Sequence, residues 1–320
     1  MIQRMPIMPH KEVGETPLAR SAQGAYMVAE RRATGDKHGR LDRLTRLLAC
    51  PACHCALDSD LACAACGTSG ERENGQLRFG GFSNDVLRQD PLNRVKEAVK
   101  RRFGRAYPLA ISLLSPVLTV QLVKPFLRTF DLDRQLVADL GSGTHRHHPD
   151  ILCIDGGQYN EVDIVTDLRR LPLADNALDG AVSIAVLEHV ADPAAHLAEI
   201  RRVLAPGGRI LCFVPFMQPF HASPYDYHRY TEVGLREQFA GFDVLSIRVG
   251  AGPTSSLVWV LQEWLAMAFS FGSERIYRML VPLTWILSPL KLLDLLLAHH
   301  PAASVIASGF VVEARKPTVG

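Results

Sequence analysis

The chain has 320 residues, 48% of them hydrophobic and 21% charged, a globular balance that excludes a wholly disordered or collagen-like protein. Its formal net charge of +2 provides no strong basic field, so nucleic acid is not an expected partner. At ~100–200 residues per domain, the length suggests one large domain with something small attached.

Residues 1–40 mix charge, glycine and small side chains without a period and read as a flexible tail. Their opening, MIQRMPIMPHKEVGETPLAR, holds no continuous apolar stretch of the signal-peptide kind, so a cytoplasmic setting is expected. Residues 41–82 carry two cysteine pairs, Cys50-Pro-Ala-Cys53 and Cys63-Ala-Ala-Cys66, separated by nine residues. Each CxxC turn can aim two thiolates at one ion, and two such turns make a tetrahedral site for zinc. A segment of about 30 residues buries too little core to fold alone, so the metal would supply much of its stability. His54 and Cys55 crowd the first turn and are alternative ligands, and free thiols in an ordinary loop are the competing reading. Cys153 and Cys212 sit in apolar strands and are expected in the core.

Residues 83–130 read as a helical linker. Within it, Ala106–Val123 is uncharged for 18 positions, long enough for a membrane span. Two prolines and four polar residues interrupt it, and a single span would separate the cysteine segment from the rest, so spanning is rejected.

Strands and helices then alternate over residues 131–251, with a closing strand in 304–316. The expected strands are Val137–Leu140, Ile151–Ile154, Asp163–Val165, Leu178–Val186, Arg209–Pro215, Phe242–Val249 and Ser304–Ala314. A helix starts at Asp192-Pro193, a cap followed by a first-turn proline, and Gly207-Gly208 is expected to end it. A second helix covers Thr231–Ala240. The pattern predicts an α/β, Rossmann-like, doubly wound sheet, whose ligands bind beyond the carboxyl ends of the strands.

The stretch VADLGSGTHRHHPDILCIDGG (137–157) departs from the usual nucleotide fold. Gly141 and Gly143 make the turn after the first strand, but His and Arg stand where a third glycine would fall. Asp155 follows Gly143 by 12 residues rather than about 20, so NAD fits poorly. Only Thr144–Asp150 separates the two strands, where a full helix is usual.

"VADLGSG", "DLRRLPLADNALDGAVSIAVLEHVADP" and "EIRRVLAPGGRILCFVPF" resemble the successive motifs of class I S-adenosylmethionine-dependent methyltransferases of the type 11 or UbiE-like group. The resemblance covers roughly residues 137–250 and the final strand. It implies S-adenosylmethionine as cofactor, with Asp139, Gly141 and Gly143 along its methionine and ribose part. Asp155 would take the ribose hydroxyls, and Asp167 and Leu168 the adenine. Leu187, Glu188 and His189 would border the cofactor. "LLACPACHCALDSDLACAACG" with "GQLRFGGF" resembles the small zinc-ribbon proteins that activate methyltransferases, here fused to the enzyme. In the shortened loop, Arg146 or an imidazolium among His145, His147 and His148 would replace the missing helix end as partner of the cofactor carboxylate; a solvated basic loop is the other reading.

Methyl transfer from a sulfonium is an in-line displacement, in which the protein positions the acceptor and excludes water. The loop "PFHASPYDYHRYT" holds His221, Tyr225, Asp226, His228 and Tyr230 at the expected mouth. His221, then His228, is the expected base for a hydroxyl acceptor. Neither an Asn/Asp-Pro-Pro-aromatic run nor a Pro-Cys nucleophile is present, which argues against nucleic-acid bases and leaves a small-molecule, glycan or lipid-linked acceptor. A non-catalytic scaffold, binding cofactor or a partner through its ribbon, is the rival reading. Residues 252–303 form an apolar insertion before the last strand, with Trp259, Trp264 and Trp285 suited to a membrane interface. Leu257–Phe271 and Met279–Leu297 are expected as helices. Neither holds an uncharged run of 18, and Pro282 and Pro289 should break the second, so contact with the inner face of a membrane is expected rather than a span.

Overall fold

A computed structural model describes residues 44, 47–80, 113–118, 122–222 and 225–318. The tail and most of the linker, including most of Ala106–Val123, lie outside the described residues.

Nine strands form one sheet: β1 (Glu71–Glu73), β2 (Gln76–Arg78), β3 (Val137–Leu140), β4 (Leu152–Asp155), β5 (Ile164–Val165), β6 (Leu178–Ile184), β7 (Leu204–Pro215), β8 (Asp243–Ala251) and β9 (Gly309–Arg315). Their spatial order is β1-β2-β5-β4-β3-β6-β7-β9-β8. The five strands from β5 through β7 run parallel, and β9 is antiparallel to both β7 and β8. The order reverses direction between β3 and β6, which makes their carboxyl ends the switch point of a Rossmann-like α/β sheet. Side chains alternate across it: Ile210, Cys212 and Val214 of β7 enter one core cluster with Leu140, Ile154 and Phe310. Leu211 and Phe213 enter the other with Val137, Ile151 and Phe126, the last from α1 (Val123–Leu127). Cys153 and Cys212 are core residues as expected, and burial pushes the Cys153 thiol up to about 12.

No helix joins β3 to β4, as the seven-residue gap requires, and none joins β4 to β5 or β5 to β6. The helix α2 (Pro193–Val203) begins as expected, with the Asp192 carboxylate accepting the Ala195 N–H at 3.0 Å. Its end differs from expectation. Leu204 turns to extended backbone and already pairs with Leu178, so Gly207-Gly208 lie inside β7, at a register shift, rather than capping the helix. Gly207, at φ 80°, donates its N–H to Lys316 O (2.9 Å). Thr231 caps α3 (Glu232–Gln238).

The ribbon segment joins the same sheet. Leu77 and Arg78 of β2 pair in parallel with Ile164 and Val165 of β5, so β5 is not the sheet's edge. Gln76, buried, donates to Tyr159 O and Val162 O, and Leu48 bridges Leu173.

The insertion is helical: α4 (Pro253–Ala268), α5 (Glu274–Thr284), a 3-10 stretch Trp285–Leu293, and α6 (Asp294–Leu297). Pro282 and Pro289 do not break the second segment. Pro282 lies within α5 and Pro289 within the 3-10 stretch that follows it, and Glu274–Leu297 runs on as one helical path. By length and composition that path suffices to cross a membrane, with 17% of its apolar window buried. Asp294, however, is locked to the start of α4, accepting from the Thr254 and Ser255 N–H groups (2.7 and 2.8 Å) and the Ser255 hydroxyl (2.6 Å). The start predicted for the last strand, Ser304, falls in a 3-10 turn, Ala303–Val305; β9 begins at Gly309.

Candidate active site

The glycine turn after β3 folds back over β4. Gly141 sits at φ 86° and donates to Ile154 O at 2.7 Å; a Cβ there would lie 2.3 Å from Val186 Cγ2. Only glycine satisfies both demands. Gly143, at φ 56°, faces open space: a Cβ would meet nothing within 4 Å. Its N–H donates to Asp155 Oδ2 at 2.8 Å, and Gly157 N–H donates to Oδ1 at 2.7 Å. Burial raises the Asp155 carboxyl, against those amides.

Asp139 is almost fully buried at the end of β3, and its Oδ2 has no hydrogen-bond partner among the described residues. Burial, and then the nearby Asp155 charge, push its carboxyl up to about 7. His147 Nε2 lies 3.8 Å away, and burial holds that imidazole down to about 4.

Arg146 is placed differently from the expectation for it. Its Nη2 meets both oxygens of fully buried Asp163 at 2.9 Å and Glu161 O at 2.6 Å, while Nη1 donates to Ile151 O at 2.8 Å. The guanidinium braces the helix-free loop onto β4 and has little left to offer a ligand. The useful signal was Asp163, which also accepts Cys153 N–H at 2.9 Å. Asp167 is paired with Arg169 at 2.7 Å, which outweighs burial and lowers its pKa; Leu168 packs against the core and its carbonyl contacts His196 Nδ1 at 2.9 Å.

After β6, Ala185 takes a left-handed φ of 55°, a conformation costing an L-residue about 1 kcal/mol. The turn swings Leu187–His189 inward, leaving Leu187 and Glu188 both fully buried. Neither Glu188 oxygen has a hydrogen-bond partner among the described residues. Around it stand His189 Nε2 (3.7 Å) and His221 Nε2 (3.9 Å), both measured to Oε1. His221 stacks at 5.3 Å on Trp259 of α4, so the insertion walls the mouth. Arg229 grips Asp226, whose carboxylate accepts the His221 N–H at 2.8 Å and thereby holds the loop. His228 lies between Tyr227 and Tyr230, with its Nε2 and the Tyr230 hydroxyl buried and unpartnered among the described residues. Burial raises the Tyr230 phenol, and the Glu188 charge adds to it. The sequence placed these groups in one loop but gave no sign that Glu188 would be sealed beneath them.

At the far edge, the four sulfurs of Cys50, Cys53, Cys63 and Cys66 lie within 4.8 Å of one another. Cys50–Cys66 and Cys53–Cys66 are 3.5 Å apart and Cys53–Cys63 3.4 Å. The two turns have the same backbone design: His54 (φ 59°) and Gly67 (φ 74°) return their N–H groups to the carbonyls of Cys50 and Cys63 at 2.8 and 2.9 Å. The imidazole of His54 and the thiol of Cys55 are not part of the cluster. Cys66 is pulled down to about 6, first by the Thr68 hydroxyl.

Residues 139–212 match a family model described as a methyltransferase domain. A probable S-adenosylmethionine-dependent methyltransferase of Mycolicibacterium smegmatis is 34% identical over 107 residues, 30% of this chain and 42% of the relative. The ubiquinone/menaquinone biosynthesis C-methyltransferase UbiE of Caulobacter vibrioides is 42% identical over 74 residues, 22% of this chain and 29% of the relative. The chain therefore spans less than half the length of these curated relatives. Among solved structures, the Burkholderia thailandensis 1,6-didemethyltoxoflavin-N1-methyltransferase with bound S-adenosylhomocysteine aligns at 17% identity and a TM-score of 0.38, over 70% of this chain and 87% of its own.

Proposed function

We propose that the chain is an S-adenosylmethionine-dependent methyltransferase acting on a lipid-linked or amphipathic acceptor at a membrane surface. The observation that carries the cofactor half is the unsatisfied Asp139 oxygen in β3, together with the open space over Gly143 in the turn that follows that strand, at the switch point of the sheet. Gly141 and Gly143 admit the cofactor's methionine and ribose part, and Asp139 supplies charge for a cationic group. Asp155 keeps lone pairs for ribose hydroxyls after its two amide contacts. Asp167 and Leu168 border the adenine, Leu187 borders the cofactor after β6, and Arg146 is assigned a bracing role instead. The cofactor supplies the activated methyl group. His221 and His228 border the acceptor side of the mouth.

The acceptor half of the reading rests on the insertion. Leu257, Val260, Trp264 and Met267 repeat at helical spacing along the outer face of α4, and all are exposed, Trp264 by 57%. Phe271, Met279, Leu283, Ile286, Leu295 and Leu296 extend the apolar surface, with Ile286 82% exposed. Several polar residues of the same helices, Gln262 and Ser288 among them, face inward, while Glu274, Arg275 and Arg278 at the start of α5 are exposed. Gln262 donates to the Ser288 hydroxyl (3.0 Å), and Ser288 in turn to Leu114 O (2.7 Å). An exposed apolar patch of this extent, flanked by the charges of Glu274, Arg275 and Arg278, fits a hydrocarbon boundary. The ribbon, with one zinc ion on Cys50, Cys53, Cys63 and Cys66, would act as a built-in activator stiffening the sheet edge beside β5. Sulfur separations of 3.4–3.5 Å suit a tetrahedral zinc–thiolate site, whose ~2.3 Å bonds set sulfurs a little under 4 Å apart.

The test is transfer of isotope-labelled methyl from S-adenosylmethionine to lipid and aqueous extracts of the source cells. Label in a lipid product is expected. Label confined to water-soluble products would overturn the acceptor reading, and no transfer to either would favour the non-catalytic scaffold.

A further inference from the structure

We propose that Glu188, His189 and His221 form a three-ligand site for a divalent transition-metal ion, with its open positions facing an oxygen atom of the acceptor. The identity of that oxygen ligand rests on the methyl-transfer reading; binding of the ion does not.

Four observations converge. Glu188 is fully buried and both its oxygens lack a hydrogen-bond donor among the described residues, a costly state for a carboxylate unless a cation is supplied. The groups facing it are the Nε2 atoms of His189 and His221, and one ligand atom from each of the three residues lies within 4.8 Å of the others. A point equidistant from three atoms on such a triangle lies about 2.5 Å from each, so closure by a few tenths of an ångström brings all three to bonding distance. Both rings are oriented from behind as metal-binding histidines are: His189 Nδ1 meets Tyr225 O at 2.5 Å and His221 Nδ1 meets Pro219 O at 2.9 Å. A ring that donates Nδ1–H to a carbonyl presents the Nε2 lone pair forward. Arg229 Nη2 also lies 3.1 Å from His221 Nδ1, but its two hydrogens serve Pro219 O and Asp226.

Two imidazoles and one carboxylate favour ions such as Zn2+, Co2+ and Fe2+, and three protein ligands leave room for an exogenous oxygen, as in catalytic rather than structural sites. The position suits that role. Val186, two residues before Glu188, packs on Gly141 of the cofactor turn, and Trp259 of the insertion stacks on His221 from the other side. The ion would lie where the cofactor cradle meets the insertion. His221 then serves as a ligand rather than as a base.

The test uses full-length protein treated with chelator until one zinc per chain remains, on the ribbon thiolates, and then titrated with Co2+ without S-adenosylmethionine. The expected result is one Co2+ per chain, with visible d–d absorption and no thiolate charge-transfer band. Affinity should fall at least tenfold in Glu188→Gln and in His221→Ala and stay unchanged in His300→Ala on the exposed insertion surface. Circular dichroism monitors folding, and His221→Ala, at the rim, carries the test if Glu188→Gln does not fold. Absence of Co2+ uptake, uptake only with thiolate charge transfer, or equal uptake by both variants would overturn the site. Co2+ binding without methyl transfer would retain the site and remove only the reading of its oxygen ligand.

Discussion

The strand-end mouth and the 252–303 insertion solve opposite problems. At the mouth, buried polar atoms of Asp139, Glu188, His228 and Tyr230 lack partners among the described residues. In the insertion, buried Ser255, Ser256, Gln262, Ser288 and Asp294 have theirs, Thr254 Oγ1 being the exception, and it is mainly the apolar side chains that are uncovered. A buried polar atom without a partner costs about 1–3 kcal/mol, so polar ligands would stabilise the mouth. An uncovered apolar face gains about 25 cal/mol per Å2 on burial, so an apolar medium would stabilise the insertion. One protein thus carries two unmet demands, and Trp259 against His221 is where they touch.

The largest effect that could break this contrast is removal of the insertion. Replacing Gly252–Ala303 by a short turn should abolish co-flotation with liposomes of anionic and zwitterionic lipid, while the intact chain floats. If neither floats, the outer face is not a lipid surface. The ribbon offers the next largest effect: Cys63→Ser should lose the one zinc per chain that resists mild chelation in the natural protein and loosen the β2–β5 edge, read by metal analysis and hydrogen exchange at Leu77. Full zinc in this variant would contradict the four-thiolate site. A smaller effect sharpens the outer-face assignment. Trp264→Glu should weaken liposome binding about tenfold, or ~1.4 kcal/mol, and leave thermal stability almost unchanged, because the side chain already faces solvent.

The mouth makes a pH-dependent prediction. Asp139 titrates near 7 when folded against an ordinary value of 3.8, so the folded chain holds a proton that the unfolded chain releases. Stability without ligand should therefore fall as pH rises from about 4 to 7 and level off above. Asp139→Asn cannot ionise, so its stability margin over the natural chain should grow across that window to about 2–4 kcal/mol at pH 8. His147, held down to about 4, gives the opposite slope between about pH 4 and 6.5, but it does so in both proteins and cancels in the difference. A margin independent of pH in denaturant unfolding would contradict the burial of that charge.

The sequence made local features legible. Asp192-Pro193 marked the start of α2, the apolar runs marked β3, β4, β6 and β7, and the paired CxxC turns marked the sulfur cluster. What escaped depends on partners distant in the chain. Gly207-Gly208 read as a helix stop because nothing local announces that Leu204 pairs with Leu178. The ribbon's place in the sheet needs pairing between Leu77 and Ile164, 87 positions apart. Arg146 read as a partner for the cofactor carboxylate because nothing local announces Asp163 opposite it. Glu188 lies in a stretch that reads as an ordinary helix start, and only the left-handed turn at Ala185 drives it inward.

The central claim, a cofactor cradle at the switch point, is tested most directly by calorimetry of S-adenosylmethionine binding to the natural chain and to Asp155→Ala. One site per chain is predicted, weakened in the variant by about 1.5–3 kcal/mol, roughly 10- to 150-fold, with the fold retained. No binding to the natural chain, or equal affinity in both proteins, would contradict it.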